Sequence, residues 1–231
     1  MSRVLGEHVP DERIFEDVYR RQIRSPRAFW AAYPLPSIAM DDPAFVRPIP
    51  RNSWGGASQA LTALRTPRWM EFYGKYSDFS YLMTRWVEAI SRASGFLQQM
   101  DPQSGEFTPA APGYSPAALV YFEFVWRLYG VRGNDDEVEW NCRLPEGSAT
   151  CVSSGKLPGG GAELRNTATR SQLLIGGKGI AEVEGEVRMV TDLRGRPLRL
   201  IGTAQTPAVV VVRRLGKQKR YSIRPDEVIS L

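Results

Sequence analysis

Apolar positions in the first part of the chain recur with the period of a helix. Residues 11–24, DERIFEDVYRRQIR, place Ile14, Val18, Tyr19 and Ile23 on one face, with acids in the first turn and arginines in the last, which predicts an amphipathic helix. Residues 78–97 set Phe79, Leu82, Met83, Trp86, Val87 and Ile90 at the same spacing, with Ser77 or Asp78 available as cap. Both ends of a third helix are written in residues 115–130, SPAALVYFEFVWRLYG. Ser115 is the expected N-cap, Pro116 takes the first helical position, and Gly130 is the expected left-handed C-terminal residue. Between Ala57 and Lys75 the pattern breaks at Thr66-Pro67, since proline removes a donor and restricts its predecessor, so two short helices are expected there.

Further along, the period changes to two. Residues 182–191 alternate from Glu182 through Val183, Glu184, Gly185, Glu186, Val187 and Arg188 to Met189, the pattern of a strand with one wet face. LRGRPLRL predicts a turn between strands, and the β-branched run AVVVV at 208–212 is expected to be buried on both faces. With SQLLIG from residue 171 and RYSI from residue 220, these segments predict a small antiparallel β-sheet or β-sandwich.

Composition divides the chain at the same place. All six Trp, all nine Phe and eight of nine Tyr lie within residues 1–140, and that part has a net charge of −2 against +7 for residues 141–231. The intervening stretch, NCRLPEGSATCVSSGKLPGGGA, is rich in Gly, Ser and Pro and lacks either periodicity. The expected organisation is therefore a helical region over 1–140, a linker over 141–161 and a β-rich unit over 162–231.

The residue inventory narrows the chemistry. A single histidine, His8, leaves little room for His-based triads or metal sites, and no phosphate loop or metal-ligand spacing occurs, so neither cofactor nor metal is expected. Cys142 and Cys151 read as two free thiols, or as a local disulfide in an oxidising compartment. The chain has no uninterrupted apolar run long enough for a membrane span, and its charged start does not resemble a secretory signal, so no membrane partner and a cytoplasmic location by default are expected. The +7 charge raises nucleic-acid binding, but the cations are scattered and Tyr221 alone could stack, which favours a solvated face and no nucleic-acid partner. Carboxylates, amides and aromatics are left to carry function. They concentrate in two long connections, YPLPSIAMDDPAFVRPIPRNSW and QQMDPQSGEFTPAAPGYSP, which are either functional loops or proline-stiffened surface loops.

The succession YPLPSIAMDDPAF, RNSWGG opening a helix, a long helix leading to LQQMDPQSGEF, and GYSPAALVYFEFVWRL resembles the C-terminal part of six-hairpin glycosidases, more narrowly their trehalase-like and mannosylglycerate-hydrolase-like relatives. It covers about residues 11–130 and rests on order and spacing. The resemblance implies an α+β chain: a helical portion of an (α/α)6 toroid followed by the β-sheet or β-sandwich unit. It implies a glycoside hydrolase acting on a carbohydrate, commonly with inversion. Arg51, Asn52 and Trp54 match the stretch that lines the family's sugar pocket, and Tyr114 stands where the family usually has Trp. Trp54 could equally plug a helix entrance. Gln98 sits at the family's general-base position and cannot accept a proton from water, which leaves Asp101 and Glu106 as candidate carboxylates. The family's acid matches no residue here. A catalytically degenerate carbohydrate-binding or interaction module is the alternative. Because 140 residues are too few for a closed toroid, the resemblance also implies a missing N-terminal half as partner, or self-association.

Overall fold

Asp11 starts the first helix by accepting hydrogen bonds from the backbone N–H groups of Arg13 (2.9 Å) and Ile14 (3.4 Å), the work of an N-cap carboxylate. The computed structural model describes residues 5, 7, 8, 11–46, 54–109, 111–157 and 160–231. Helix α1 (Glu12–Val18) runs into a π-helical turn over Tyr19–Ile23. Its buried face is Phe15, Tyr19 and Ile23, while Ile14, expected to face inward, is 56% exposed. The wider turn keeps residues four apart on one line, so Phe15 replaces Ile14 at the contact and stacks on Tyr73 at 3.5 Å.

The chain forms two compact units, Met1–Lys75 with Tyr81–Phe124, and Tyr76–Ser80 with Val125–Leu231. The first holds α1, the short helices α2 (Ala60–Ala63) and α3 (Thr66–Met70), most of α4 (Tyr76–Arg92), the start of α5 (Ser115–Tyr129), and a ribbon of β1 (Ser58–Gln59) and β2 (Gln99–Met100). Pro67 lies in the first turn of α3, where its missing N–H costs nothing. Helix α4 buries Phe79, Leu82, Met83, Trp86, Ala89 and Ile90, and α5 buries Ala117, Val120, Phe124 and Leu128. Gly130 ends α5 for a different reason from the one expected. Its φ is not in the left-handed region; a Cβ there would lie 2.3 Å from Trp126 Cδ1 and 2.5 Å from the Trp126 carbonyl oxygen.

The second unit is built from two antiparallel sheets. One has the order β13-β10-β9-β4-β3 (Val228–Ser230, Pro197–Ile201, Val187–Asp192, Glu137–Cys142, Val131–Gly133). The other has the order β12-β11-β8-β7-β6-β5 (Lys217–Ile223, Ala208–Arg214, Lys178–Glu184, Ser171–Ile175, Gly160–Thr167, Thr150–Leu157). Trp140, Met189, Val138 and Leu200 of the first sheet and Leu164, Leu173, Val183 and Val210 of the second share one apolar core. Trp140 is fully buried and donates its indole N–H to Thr191 Oγ1 at 3.0 Å.

Several expectations are corrected. The alternating run 182–189 is two strands, because Gly185 takes φ 94° and turns the chain between β8 and β9. Of the AVVVV run, Val210 and Val212 are buried and Val209 is 48% exposed, so β11 has one wet face. Residues 150–157, within the stretch expected to be a linker, form β5, paired with β6 from Thr150↔Thr167 to Leu157↔Gly160.

The largest correction concerns the toroid. Among the described residues only α4 and α5 are long helices, and the chain is rich in strands arranged in three antiparallel sheets. An (α/α)6 portion would need further long amphipathic helices. Between Ile23 and Tyr76 the described chain has only helices of four and five residues, with Pro34, Pro36 and Pro43 lacking backbone donors. The resemblance to six-hairpin, trehalase-like glycosidases therefore does not hold, and the expectation of a missing barrel half falls with it.

The first turn of α4 is held by its own unit. Neither Ser77 nor Asp78 caps it from outside the helix; Asp226, in the left-handed region at φ 64°, accepts from the Ser77 backbone N–H at 2.6 Å. Asp226→Ala is expected to cost about 1 kcal/mol, the loss of a capping carboxylate, and Asp226→Asn to recover most of it in chemical denaturation.

Candidate functional site

A shallow cleft of about 450 Å³ lies in the first unit, where the C-terminal end of α4 meets the loop that follows β2. Its lining includes Arg92, Ser94, Ser104 and Glu106 together with the apolar Leu97 and Phe107.

The loop is shaped by its own sequence, Asp101-Pro-Gln-Ser-Gly-Glu-Phe107. The Asp101 carboxylate accepts from the backbone N–H groups of Gln103 (2.7 Å) and Ser104 (3.2 Å), an Asx turn. The Gly105 N–H donates to the Asp101 carbonyl at 2.9 Å, and the Asp101 N–H donates to the Glu106 carbonyl at 2.9 Å, closing the turn. Ser104 Oγ accepts from the Glu106 N–H at 3.1 Å. Gly105 is required twice over: its φ is 71°, and a Cβ would fall 2.2 Å from Tyr33 Cζ.

Tyr33 is the post on which the loop and α4 converge. It is buried, and its N–H donates to the Pro102 carbonyl at 2.8 Å. The Arg85 guanidinium sits 4.4 Å from its ring centre. Arg92 donates to the Tyr33 hydroxyl at 2.5 Å and to Glu88 at 2.6 Å, one turn earlier on the same helix. These two hydrogen bonds orient the guanidinium, and the one to Tyr33 is the main cause that raises Arg92 above its ordinary pKa.

Behind the loop, β1 and β2 carry an amide cluster. Gln59 Nε2 donates to Gln99 Oε1 at 2.7 Å in a buried contact, and Gln98 Nε2 donates to Gln59 Oε1 at 3.4 Å. Gln98 thus serves as a donor within a structural ribbon, and its carbonyl accepts from the Ala60 N–H.

Of the residues singled out from sequence, Glu106 lines the cleft and Asp101 shapes the turn that presents it. Trp54 is half exposed, and its carbonyl accepts from Ser37 Oγ at 2.6 Å; it is not among the cleft's lining residues. Tyr114 precedes α5, donating its N–H to the Phe96 carbonyl at 2.9 Å, also outside the lining. Arg51 and Asn52 lie outside the described residues. Sequence reasoning missed Tyr33, Arg92 and Ser104. The available signals were the Glu88/Arg92 spacing of four and the Asp101/Gly105 turn pattern.

Among the described residues no group of His, Cys, Asp and Glu could hold a metal ion, and no helix is long and apolar enough to cross a membrane. Cys142 and Cys151 are both free, and burial pushes the Cys142 thiol up to about 12. No protein-family profile and no curated protein matches the chain.

Proposed function

We propose that the chain is a carbohydrate-binding module that holds a neutral sugar in the cleft between the end of α4 and the 101–107 loop. The observation that carries this reading is the lining itself: one cation, one carboxylate and two hydroxyls together with the apolar Leu97 and Phe107. Donors and acceptors of both kinds suit the hydroxyls of a pyranose, and apolar side chains among them suit its C–H face. Binding without turnover is supported by Asp101 and Gln98. Inverting hydrolysis needs two carboxyl groups facing the scissile bond, roughly 6.5–9.5 Å apart. Here Asp101 is engaged by two backbone N–H groups and Gln98 is an amide, which leaves Glu106 as the one loop carboxylate on the cleft.

Titration calorimetry of the full chain against a panel of mono- and disaccharides tests the reading. At least one saccharide is expected to bind, and Glu106→Gln and Ser104→Ala each to weaken it roughly tenfold, about 1.4 kcal/mol, the scale of a hydrogen bond to a charged or well-placed group. A panel without a binder, or a binder indifferent to both substitutions, would overturn the assignment. Release of new reducing ends from the same panel would move Glu106 from recognition to catalysis.

A further inference from the structure

A second surface lies in the other unit and is independent of the cleft. Strands β11 and β12 are joined by Leu215 and Gly216, both at positive φ (49° and 73°), the two-residue turn that suits the twist of a hairpin. From Arg213 to Arg224 the sequence RRLGKQKRYSIR contains six cations and no acid. Arg213 is accounted for, since it pairs with Glu184 and donates to Gln218. Among the described residues no carboxylate lies within ion-pair distance of Arg214, Lys217, Lys219 or Arg220, and Lys217, Lys219 and Arg220 are all exposed.

The register arranges these charges. Arg214 faces Lys217 and Val212 faces Lys219, so Arg214, Lys217 and Lys219 share one side of the ladder, with Tyr221 next along it. Lys219 Nζ sits 4.9 Å from the Tyr221 ring centre. Successive side chains on one face of a strand are about 6–7 Å apart, so Lys217 and Lys219 follow one another along β12, an edge strand of its sheet, with Arg214 beside Lys217 across the ladder, while Arg220, opposite Val211, lies on the other face.

Cations on an edge strand discourage edge-to-edge pairing, which accounts for Lys217, Lys219 and Arg220. That reason does not cover Arg214. It stands on the inner strand directly opposite Lys217, and like charges facing across a ladder destabilise it. A bound polyanion would relieve this repulsion.

We infer that the β11–β12 hairpin is a docking surface for a linear anionic polysaccharide, with Arg214, Lys217 and Lys219 meeting its carboxylates. A row along a strand matches a linear partner. Single-stranded nucleic acid is disfavoured, because its bases need open aromatic faces and Lys219 already occupies one side of Tyr221, the sole aromatic of the hairpin. An anionic membrane would be met by the apex, where Leu215 is the single apolar side chain, while the cations continue along the strand away from it.

The test is binding of the full chain to polygalacturonate, to its methyl-esterified form, to a short single-stranded and a short duplex DNA, and to vesicles of phosphatidylcholine and phosphatidylserine. Polygalacturonate is expected to bind with an affinity that falls steeply with salt, and the combined variant Arg214→Gln, Lys217→Gln, Lys219→Gln to weaken it at least about tenfold and flatten the salt dependence. Leu215→Asn is expected to leave it unchanged. Equal binding of the esterified polymer, tighter binding of either DNA or of vesicles, or full binding by the folded threefold variant would each overturn the inference. Should that variant fail to fold, the exposed single substitutions Lys217→Gln and Lys219→Gln replace it: weaker binding by each, with polymer-induced amide shift changes in the native chain confined to 213–221, supports the surface, and unchanged binding by both overturns it.

Discussion

Replacing Arg188 by alanine is expected to destabilise the β-rich unit by about 3 kcal/mol, since removing one member of a buried ionic network strands its partners without solvent. Arg188 is 2% exposed on β9 and donates from Nε to Asn141 Oδ1 at 2.9 Å. A guanidinium nitrogen lies 3.6 Å from Glu139 Oε2, and the group sits 5.8 Å from the Tyr76 ring centre. Glu139 Oε2 is buried and accepts no hydrogen bond; its other cation, Arg132, is 3.5 Å away. Loss of Arg188 would leave that oxygen with Arg132 alone, at 3.5 Å, and take from Asn141 Oδ1 the hydrogen bond that Arg188 donates. Pairing Arg188→Met with Glu139→Gln should recover part of the loss, because the carboxylate that Arg188 faced is neutralised, while Arg132 gives up its contact with the same group. Denaturant unfolding followed by circular dichroism reads both variants. A change below about 1 kcal/mol for Arg188→Ala would show that water reaches the network and that it is not a buried one.

Gly105→Ala is expected to damage both fold and cleft, because the new methyl would have to share space with a buried ring. Its Cβ would lie 2.2 Å from Tyr33 Cζ and 2.5 Å from both Cε atoms, at a φ of 71° that side chains rarely adopt. Overpacking and left-handed strain together cost about 2–3 kcal/mol. The ring cannot move freely, since Arg85 lies 4.4 Å from its centre and its hydroxyl holds Arg92. Any displacement therefore also shifts Arg92 and Ser104 on the cleft walls, and saccharide affinity should fall by more than the roughly tenfold expected for Glu106→Gln. Wild-type stability together with wild-type affinity in Gly105→Ala would remove Tyr33 from its supporting role.

The amide cluster and the Asp101 turn explain why carboxylate pairs cannot be picked out along this chain by spacing. Asp101 and Glu106 are five residues apart and look equivalent as written. The turn separates them: Asp101 Oδ1 faces inward onto two N–H groups while Glu106 faces the cleft. Gln59, Gln98 and Gln99 look like three independent polar residues, and the β1–β2 pairing makes them one hydrogen-bonded group.

Where short-range forces decide, the amino-acid sequence was sufficient. Pro116 and Gly130 bound α5, Thr66-Pro67 separates two short helices, and the turn in LRGRPLRL forms as Asp192 accepts from the N–H groups of Arg194 and Arg196. Proline sterics and Asx turns act within about four residues, so they are legible in any local window, whereas the carboxylate at the start of α4 comes from Asp226, far along the chain. Long-range pairing is a different matter. TCVSSGKL has little apolar alternation and becomes β5 because β6 offers it a complete ladder; Gly185 cuts an unbroken alternating run because β8 and β9 belong to different sheets. The order of loops and helices in the first part suggested a toroid, but closure depends on helices packing against neighbours on both sides, a property of distant contacts that order along the chain does not encode. The cleft belongs to the same class. Tyr33, Arg92 and Gly105 are far apart in sequence, and only folding brings a ring, a guanidinium and a bare α-carbon to one place.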